Sequence, residues 1–576
     1  MNQKLENILN VSLDATEDEL RKADSLSTGY NWRDNTWEII VKYSGSLESI
    51  RNRYNVYIKE LLNYYAIIVA DKATIELISQ EDVIDYVEKP KSLYYQIERT
   101  KTAACVGSVR ADGNILSGKG VIVGVIDTGI DIFDNAFRNS DGTTRILNIY
   151  DQTTGEKYDK QSIDEYIKLN EDLSGGTFSY DNAPGVDNIM HGTDVSYIAA
   201  GSLGVAYEAD IIAVKMGYSI NNQFPRTTSL MDAIDYVIRK AIEYRKPVAV
   251  NISYGCNYGA HNGNTLLESF IDDISKSYMC VICVGSGNEA DKAIHFGGII
   301  NTGQVQTAYL SVGEYQSAMD IQIWKNYWDT IDVMLINPRG EQIGIITEGK
   351  INRYETYNTE IITLLGEPSP YNIYQEIYIN LIPKTDYILS GIWQIVLMAG
   401  NIRAGEYNIW LPSSQALGYA TAFNNPTADG TITIPATARN CIAVGAYNAY
   451  TNSYAAFSGR GFDNSIRNVN AGVKPDITAP GVDISIARQR GNDITYRNVT
   501  GTSYAVPVVT GAAALLMQWG IVMGNDRFMY GEKLKAALID GSKPVGLVGI
   551  TRNDNQPDPR TGWGAVCLKN TLNKIL

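Results

Sequence analysis

VIVGVIDTG, residues 121–129, is the stretch that decides the fold. Its first six residues, 121–126, form an unbroken apolar run, the pattern of a parallel strand covered on both faces rather than a strand with one wet side. In open α/β sheets functional groups collect at the carboxyl ends of strands, so Asp127, Thr128 and Gly129 stand where chemistry is expected. Alone the tripeptide is weak evidence. An Asp-Thr-Gly turn is common, aspartic proteases also use one, and a satisfied turn carboxylate is its plain reading.

Three further segments change that weighting. His191-Gly192-Thr193 opens a helix-like run, DVSYIAAGSL, with glycine where backbone must pack closely. Asn288 lies in VICVGSGNEA, where an apolar run turns into a glycine-rich corner. Gly501-Thr502-Ser503-Tyr504-Ala505-Val506-Pro507 leads into TGAAALLM, which puts Ser503 at the start of a buried helix, where amide donors and the dipole favour negative charge. Each alone reads as structural: a capping Ser, a core His, an Asn in a turn. Together they supply what acyl transfer requires. A Ser hydroxyl needs an imidazole to take its proton, the imidazole needs a carboxylate to fix its tautomer, and the oxyanion needs donors.

The chain order Asp, His, Ser is that of subtilisin, not of chymotrypsin or the α/β-hydrolases. Asp127-Thr128-Gly129, His191-Gly192-Thr193, Ser286-Gly287-Asn288 and Gly501-Thr502-Ser503-x-Ala505-x-Pro507 resemble the motifs of the subtilases, the subtilisin-like serine proteases. Residues 443–446 (AVGA), 474–481 (KPDITAPG) and 562–564 (GWG) extend the likeness. The resemblance implies that Asp127 orients the imidazole, that His191 is general base and then acid, and that Ser503 is the nucleophile. It also implies an oxyanion hole of Asn288 and the Ser503 amide. Ser253, Tyr254 and Gly255 would pair with substrate backbone, and Gly285, Ser286 and Gly287 would wall the primary specificity pocket. Two positions depart from the pattern: Asp194 replaces the usual second His, and Tyr504 follows the nucleophile. Asp194 is expected to affect packing and Tyr504 to narrow the neighbourhood of Ser503.

The chain has 576 residues, so two or three folded units are expected. Its net charge of −15 argues against nucleic acid or an anionic membrane as partner. Tyr is abundant, at 38 residues against 10 Phe and 8 Trp. There are 3 His; His261 and His295 lie outside the motifs and read as ordinary loop polarity. The amino terminus has no basic start followed by an apolar run, so no secretory signal is expected. The longest apolar stretch, residues 506–524, is broken by Pro, Thr, Gln and Gly and reads as a buried helix rather than a membrane span. With 6 Cys a disulfide framework is not expected, and Cys280 and Cys283 read as small buried strand residues rather than a metal or redox pair. No cofactor is expected. Calcium is common among subtilases, but no spaced carboxylate loop names ligands for it here.

Residues 37–43, 55–61, 64–70 and 83–87 read as strands, with helices over 47–54 and from Asp71, as its cap, to about Ser79. That order is the ferredoxin-like α/β plait, similar to the chaperone and inhibitor prodomain of the family. Residues 89–102 read as an accessible linker. The interval from Asn288 to Ser503 is longer than a compact subtilase needs. The excess, about 301–415, carries short runs at 320–324, 331–335, 374–379, 393–397 and 406–411 between Gly, Pro and Asn turns, which implies an antiparallel β-sandwich of jelly-roll type.

The expected fold is thus α/β, a subtilisin-like parallel sheet with helices on both faces, plus a plait and an inserted sandwich. The expected division is a prodomain over 1–96, the first part of the catalytic domain over 97–300, the insert over 301–417 and the second part over 418–576. This architecture resembles the clostridial germination-specific Csp proteases. The resemblance implies a bacterial spore protein that cleaves the zymogen of a cortex-lytic enzyme and retains its own cleaved prodomain. Self-cleavage is expected near Gln96. The competing readings are a non-catalytic scaffold or germinant-signalling pseudoprotease, and a general degradative subtilase.

Overall fold

The structure, a computed structural model, describes residues 2–92, 94–95, 116–174, 183–217, 224–347, 349–462, 473–490, 493–546 and 557–576. The run that opens the sequence reading is the strand Ile122–Asp127, buried at every residue. It lies between the parallel strands Val248–Ile252 and Asp210–Lys215, in register Ile122↔Val248 and Ile122↔Asp210. The sheet continues through Cys280–Gly285, Ile442–Asn448 and Ile477–Pro480 on one side and Ile146–Asp151 on the other, all parallel. Short antiparallel strands, Ser453–Tyr454 and Glu156–Asp159, close its edges.

Alternation along these strands feeds two cores. Val123 and Val125 join Val195, Ala199 and Val509 of the helices His191–Ala200 and Thr502–Met517. Ile122 and Ile126 join Leu230, Ile234 and Phe270 of the helices Thr227–Tyr244 and Leu266–Ser277 on the opposite face. The expected two-faced α/β sheet is therefore present. The apolar stretch Thr502–Val522 is mostly buried and is the core helix that such a sheet requires.

The amino-terminal plait is formed as expected. Strands Thr36–Tyr43, Tyr57–Glu60, Tyr65–Ala70 and Ile84–Glu88 assemble in the order fourth, first, third, second, with helices Glu48–Arg53 and Lys72–Gln80. Asp71 caps the latter by accepting from Thr74 N at 2.9 Å. The helices Asn7–Asp14 and Glu17–Lys22 precede the plait. One face of the plait places Ile39 and Val41 in a core with Ile50 and Ile75 of its own helices, and the helices Asn7–Asp14 and Glu17–Lys22, which lie on the strand Tyr374–Pro383, extend that core to Ile362 and Ile382 of the insert. The other sets Ile40 and Ile67 on the helices Thr227–Tyr244 and Leu266–Ser277, with the Tyr65 ring edge-on to Phe270 at 5.2 Å.

The start of the expected linker is not accessible. Lys89, Lys91 and Ser92 are buried. The Lys89 ammonium donates to Ser25 O at 2.6 Å, and Lys91 pairs with Glu88 and, at 2.7 Å, with Glu6. A composition that looks solvated has been internalised because each cation meets a partner.

The insert is an antiparallel sandwich. One sheet runs His295–Ile299, Glu406–Trp410, Met319–Asn326, Tyr374–Pro383, Thr359–Leu365, Ile351–Glu355. The other runs Gln342–Ile343, Ile331–Ile336, Gly391–Ala399, Val305–Val312, Ala422–Phe423. Ile321, Ile379, Leu310 and Leu397 fill the space between them. Its strands start at His295 and end at Phe423, wider than 301–417, because Gly297 and Gly298 hide the first strand from propensity.

His261 and His295 are not loop polarity. Both are buried and stack on buried Trp410, at ring separations of 4.2 and 4.9 Å, where the insert meets the parallel-sheet domain. The described cysteines are all buried, and burial pushes the Cys280 and Cys283 thiols up to about 12.

Candidate active site

Asp127 is the last residue of its strand and His191 the first of its helix. Their side chains, 1% and 2% exposed, meet through His191 Nδ1 and Asp127 Oδ1 at 2.6 Å. The motif backbones interlock to permit this. A Cβ on Gly192 would lie 2.3 Å from Gly129 O, so only glycine lets the histidine helix sit on the aspartate turn. His191 Nε2 is buried and has no hydrogen-bond partner among the described residues, so its lone pair is free to accept a proton.

One organising residue escaped sequence reasoning. Asp187, 3% exposed, accepts four hydrogen bonds: Thr128 Oγ1 at 2.7 Å, Met190 N at 2.7 Å, and Thr193 N and Oγ1 at 2.8 Å each. Thr128 Oγ1 in turn accepts from Gly192 N at 2.9 Å. Asp187 thus fastens the Asp-Thr-Gly turn to the His-Gly-Thr helix. A lone acid in a loop rich in Gly, Asp and Asn carried no signal of this.

Ser503 is the second residue of the helix Thr502–Met517 and is fully buried. Its amide therefore has no acceptor within the helix, and the dipole adds positive potential there. Gly501 precedes the helix with φ +146°, a backbone region that favours glycine. The helix packs against the histidine helix where Gly511 admits Val205 and Ala199 O, 2.5 and 2.9 Å from where a Cβ would stand. Tyr504 then lays its ring 5.3 Å from that of His191, narrowing the site, and burial raises its phenol pKa.

Asn288 faces the same helix start. Its Oδ1 accepts from Thr502 N at 3.0 Å and Thr502 Oγ1 at 3.1 Å. A backbone N–H can only donate, which fixes the amide orientation. Nδ2 is left buried with no partner among the described residues, a donor held ready for an incoming oxygen.

Ser253, Tyr254 and Gly255 follow the strand Val248–Ile252, and Ser253 Oγ reaches Ser503 O at 3.4 Å. Tyr254–Gly255 pairs antiparallel with Tyr94–Tyr95 from the end of the plait, in register Tyr254↔Tyr95. The chain just before Gln96 is thereby an added strand on the expected substrate edge; Gln96 itself lies outside the described residues. Gly285 ends the strand Cys280–Gly285 and Ser286 and Gly287 follow it, with Ser286 N donating to Val444 O at 2.9 Å and Gly287 lying against Thr433. Among the described residues no group of three or more His, Cys, Asp or Glu is arranged to hold a metal.

Asp194, one helical turn after His191, is fully buried and pairs with two arginines of the hairpin Ile484–Arg490/Asp493–Val499. Its effect is therefore electrostatic as well as steric.

Comparison with known proteins identifies the family of the chain. The chain matches the subtilase family, peptidase S8, over residues 118–372 and 390–564, and the Csp protease B prodomain over residues 3–91. The solved CspB protease of Clostridium perfringens is 34% identical, with a TM-score of 0.74 over 82% of this chain and 96% of that one. Among curated proteins, the subtilase-type proteinase RRT12 of Saccharomyces cerevisiae is 32% identical over 128 residues, 22% of this chain and 23% of that protein. Subtilisin-like protease 10 of Arthroderma otae is 34% identical over 118 residues, 20% and 26% of the two. The matched region thus spans about a quarter of each curated relative's length. The chain belongs to the subtilase family and carries a prodomain of the Csp protease B type.

Proposed function

We propose that Asp127, His191 and Ser503 act as the catalytic triad and that the enzyme cleaves its own prodomain near Gln96. Substrate backbone adds to the edge at Ser253–Gly255. His191 Nε2 takes the Ser503 Oγ proton as the oxygen attacks the scissile carbonyl. Asn288 Nδ2 and the Ser503 amide receive the oxyanion. His191 then gives the proton to the leaving amine, and a water activated the same way releases the acyl group. Asp127 keeps Nδ1 protonated throughout.

The observation that carries this reading is the strand pairing of Tyr94–Tyr95 with Tyr254–Gly255. It leads the chain toward the site in the way a substrate would bind, and it supports a prodomain that remains after cleavage. The buried Glu6, Glu88 and Lys91 cluster adds a polar anchor for that retention, because Glu88 also accepts from Leu266 N of the protease at 2.8 Å.

In its physiological role the enzyme acts in the bacterial spore on the zymogen of a cortex-lytic enzyme, activating it for germination. The likeness to the C. perfringens CspB protease supports this role. Incubating such a zymogen with the wild type and with Ser503→Ala, then sequencing the cut, tests it. Cleavage by the wild type alone at one site is expected, and no cleavage by either would defeat the assignment. Indiscriminate cutting of unfolded proteins would favour a degradative subtilase.

A further inference from the structure

The hairpin Ile484–Arg490/Asp493–Val499 lies in sequence immediately before the nucleophile helix and in space against the histidine helix. Arg488 meets Asp194 Oδ1 through Nε at 3.1 Å and Nη2 at 2.5 Å, and Arg497 pairs with the other carboxylate oxygen. A carboxylate with no exposure is tolerated only when so compensated. The same two guanidinia donate to Met190 O, at 3.0 Å from Arg488 and 3.4 Å from Arg497.

Met190 is the residue before His191 and has φ +67°, a left-handed conformation that costs energy for a side chain of its kind. Asp187 holds its N–H and the arginines hold its carbonyl. The backbone leading into His191 is therefore fixed from one side by the arginines and from the other by Asp187. Asp194 is fixed by the same arginines one turn later. Arg497 is joined to Ser503 through Val499, Thr500 and Gly501, whose N–H donates to Gly481 O at 2.8 Å. The Tyr504 ring rests on His191 and feels both arginine charges.

We propose that Asp194, Arg488 and Arg497 are positioning residues, an ion-paired strap that sets the His191 imidazole against Ser503 by tying the histidine helix to the leader of the nucleophile helix. The strap occupies the place where the subtilase motif ordinarily has a second His. The inference rests on the assignment of His191 as base and Ser503 as nucleophile.

The test uses the full chain as wild type, Asp194→Asn, Arg497→Ala, Arg497→Lys and Ser503→Ala. Each is titrated with a fluorophosphonate probe to separate the limiting labelling rate from the half-saturating concentration, and thermal stability is measured in parallel. Displacement of a base by about an ångström costs up to ~100-fold. Arg497→Ala and Asp194→Asn are therefore expected to lose at least about tenfold in limiting rate, with half-saturation within about twofold of the wild type. Arg497→Lys, which restores the charge, is expected to recover part of the rate. Arg497, 40% exposed, is the milder truncation because Arg488 still pairs with Asp194, and it keeps the test decisive if Asp194→Asn does not fold. A wild-type limiting rate in Arg497→Ala, whatever its melting temperature, overturns the strap. A wild type that labels no better than Ser503→Ala overturns the underlying assignment instead.

Discussion

Replacing Asn288 separates its two jobs, because its two amide atoms do different things. Oδ1 holds Thr502 through two hydrogen bonds and Nδ2 is an unspent donor. Asn288→Ala removes both. The lost donor is worth about 3 kcal/mol of transition-state stabilisation, the figure for the corresponding donor in a subtilisin, or about 150-fold in rate. The lost acceptor strands the Thr502 amide and hydroxyl at about 1 kcal/mol each, so stability falls by about 2 kcal/mol. Asn288→Asp keeps an acceptor for Thr502 at a helix start that favours anions, so its stability stays within about 0.5 kcal/mol of the wild type. It turns a carboxylate toward the developing oxyanion, so its rate falls below that of the Ala variant. The assay is the fluorophosphonate capture rate of Ser503 beside a chemical denaturation curve. Opposite orders are predicted: Asp slower than Ala in rate, Asp more stable than Ala. A wild-type rate in Asn288→Ala, or equal losses of both properties in the two variants, would refute the oxyanion role.

Asp187→Asn turns an amide donor toward groups that themselves donate, and is expected to lower stability by about 2–3 kcal/mol and to slow labelling of Ser503; denaturation and probe kinetics read both. Burial lowers the His295 pKa to about 4 from 6.5, so its neutral form supports folding fully above pH 6.5, and that support is lost as pH falls toward 4. The stability difference between wild type and His295→Gln is therefore predicted to grow from pH 4 to 6.5 by about 3 kcal/mol, and a flat difference would contradict the burial of a neutral ring. Lys91→Met leaves Glu6 and Glu88 facing each other without their cation and is expected to loosen the prodomain by about 3 kcal/mol. Size-exclusion chromatography of processed protein would show the released fragment.

What was legible in the sequence follows from how local its causes are. The strand ending at Asp127 announced itself because burial on both faces forces an unbroken apolar run. The plait and the insert strands at 320–324, 331–335 and 393–397 were legible because period-two alternation and turn residues are local signals. The pairing of Asp127 with His191 was foreseen from motif order, since the chemistry demands both side chains whatever lies between them. Asp187 and the two arginines facing Asp194 were not foreseen. Their roles depend on partners far away in the chain, and an isolated charge reads the same whether it is solvated or buried against its complement. The histidines on Trp410 were misread for that reason, as was Lys89, whose partner Ser25 lies 64 residues away in the chain.

The measurement that bears most directly on the account is the intact mass of the purified chain, treated with a fluorophosphonate, beside Ser503→Ala. The account predicts a wild type cut near Gln96, with one probe on Ser503, and a Ser503→Ala chain that stays full length and unlabelled. Identical, full-length and unlabelled masses for the two proteins would contradict it.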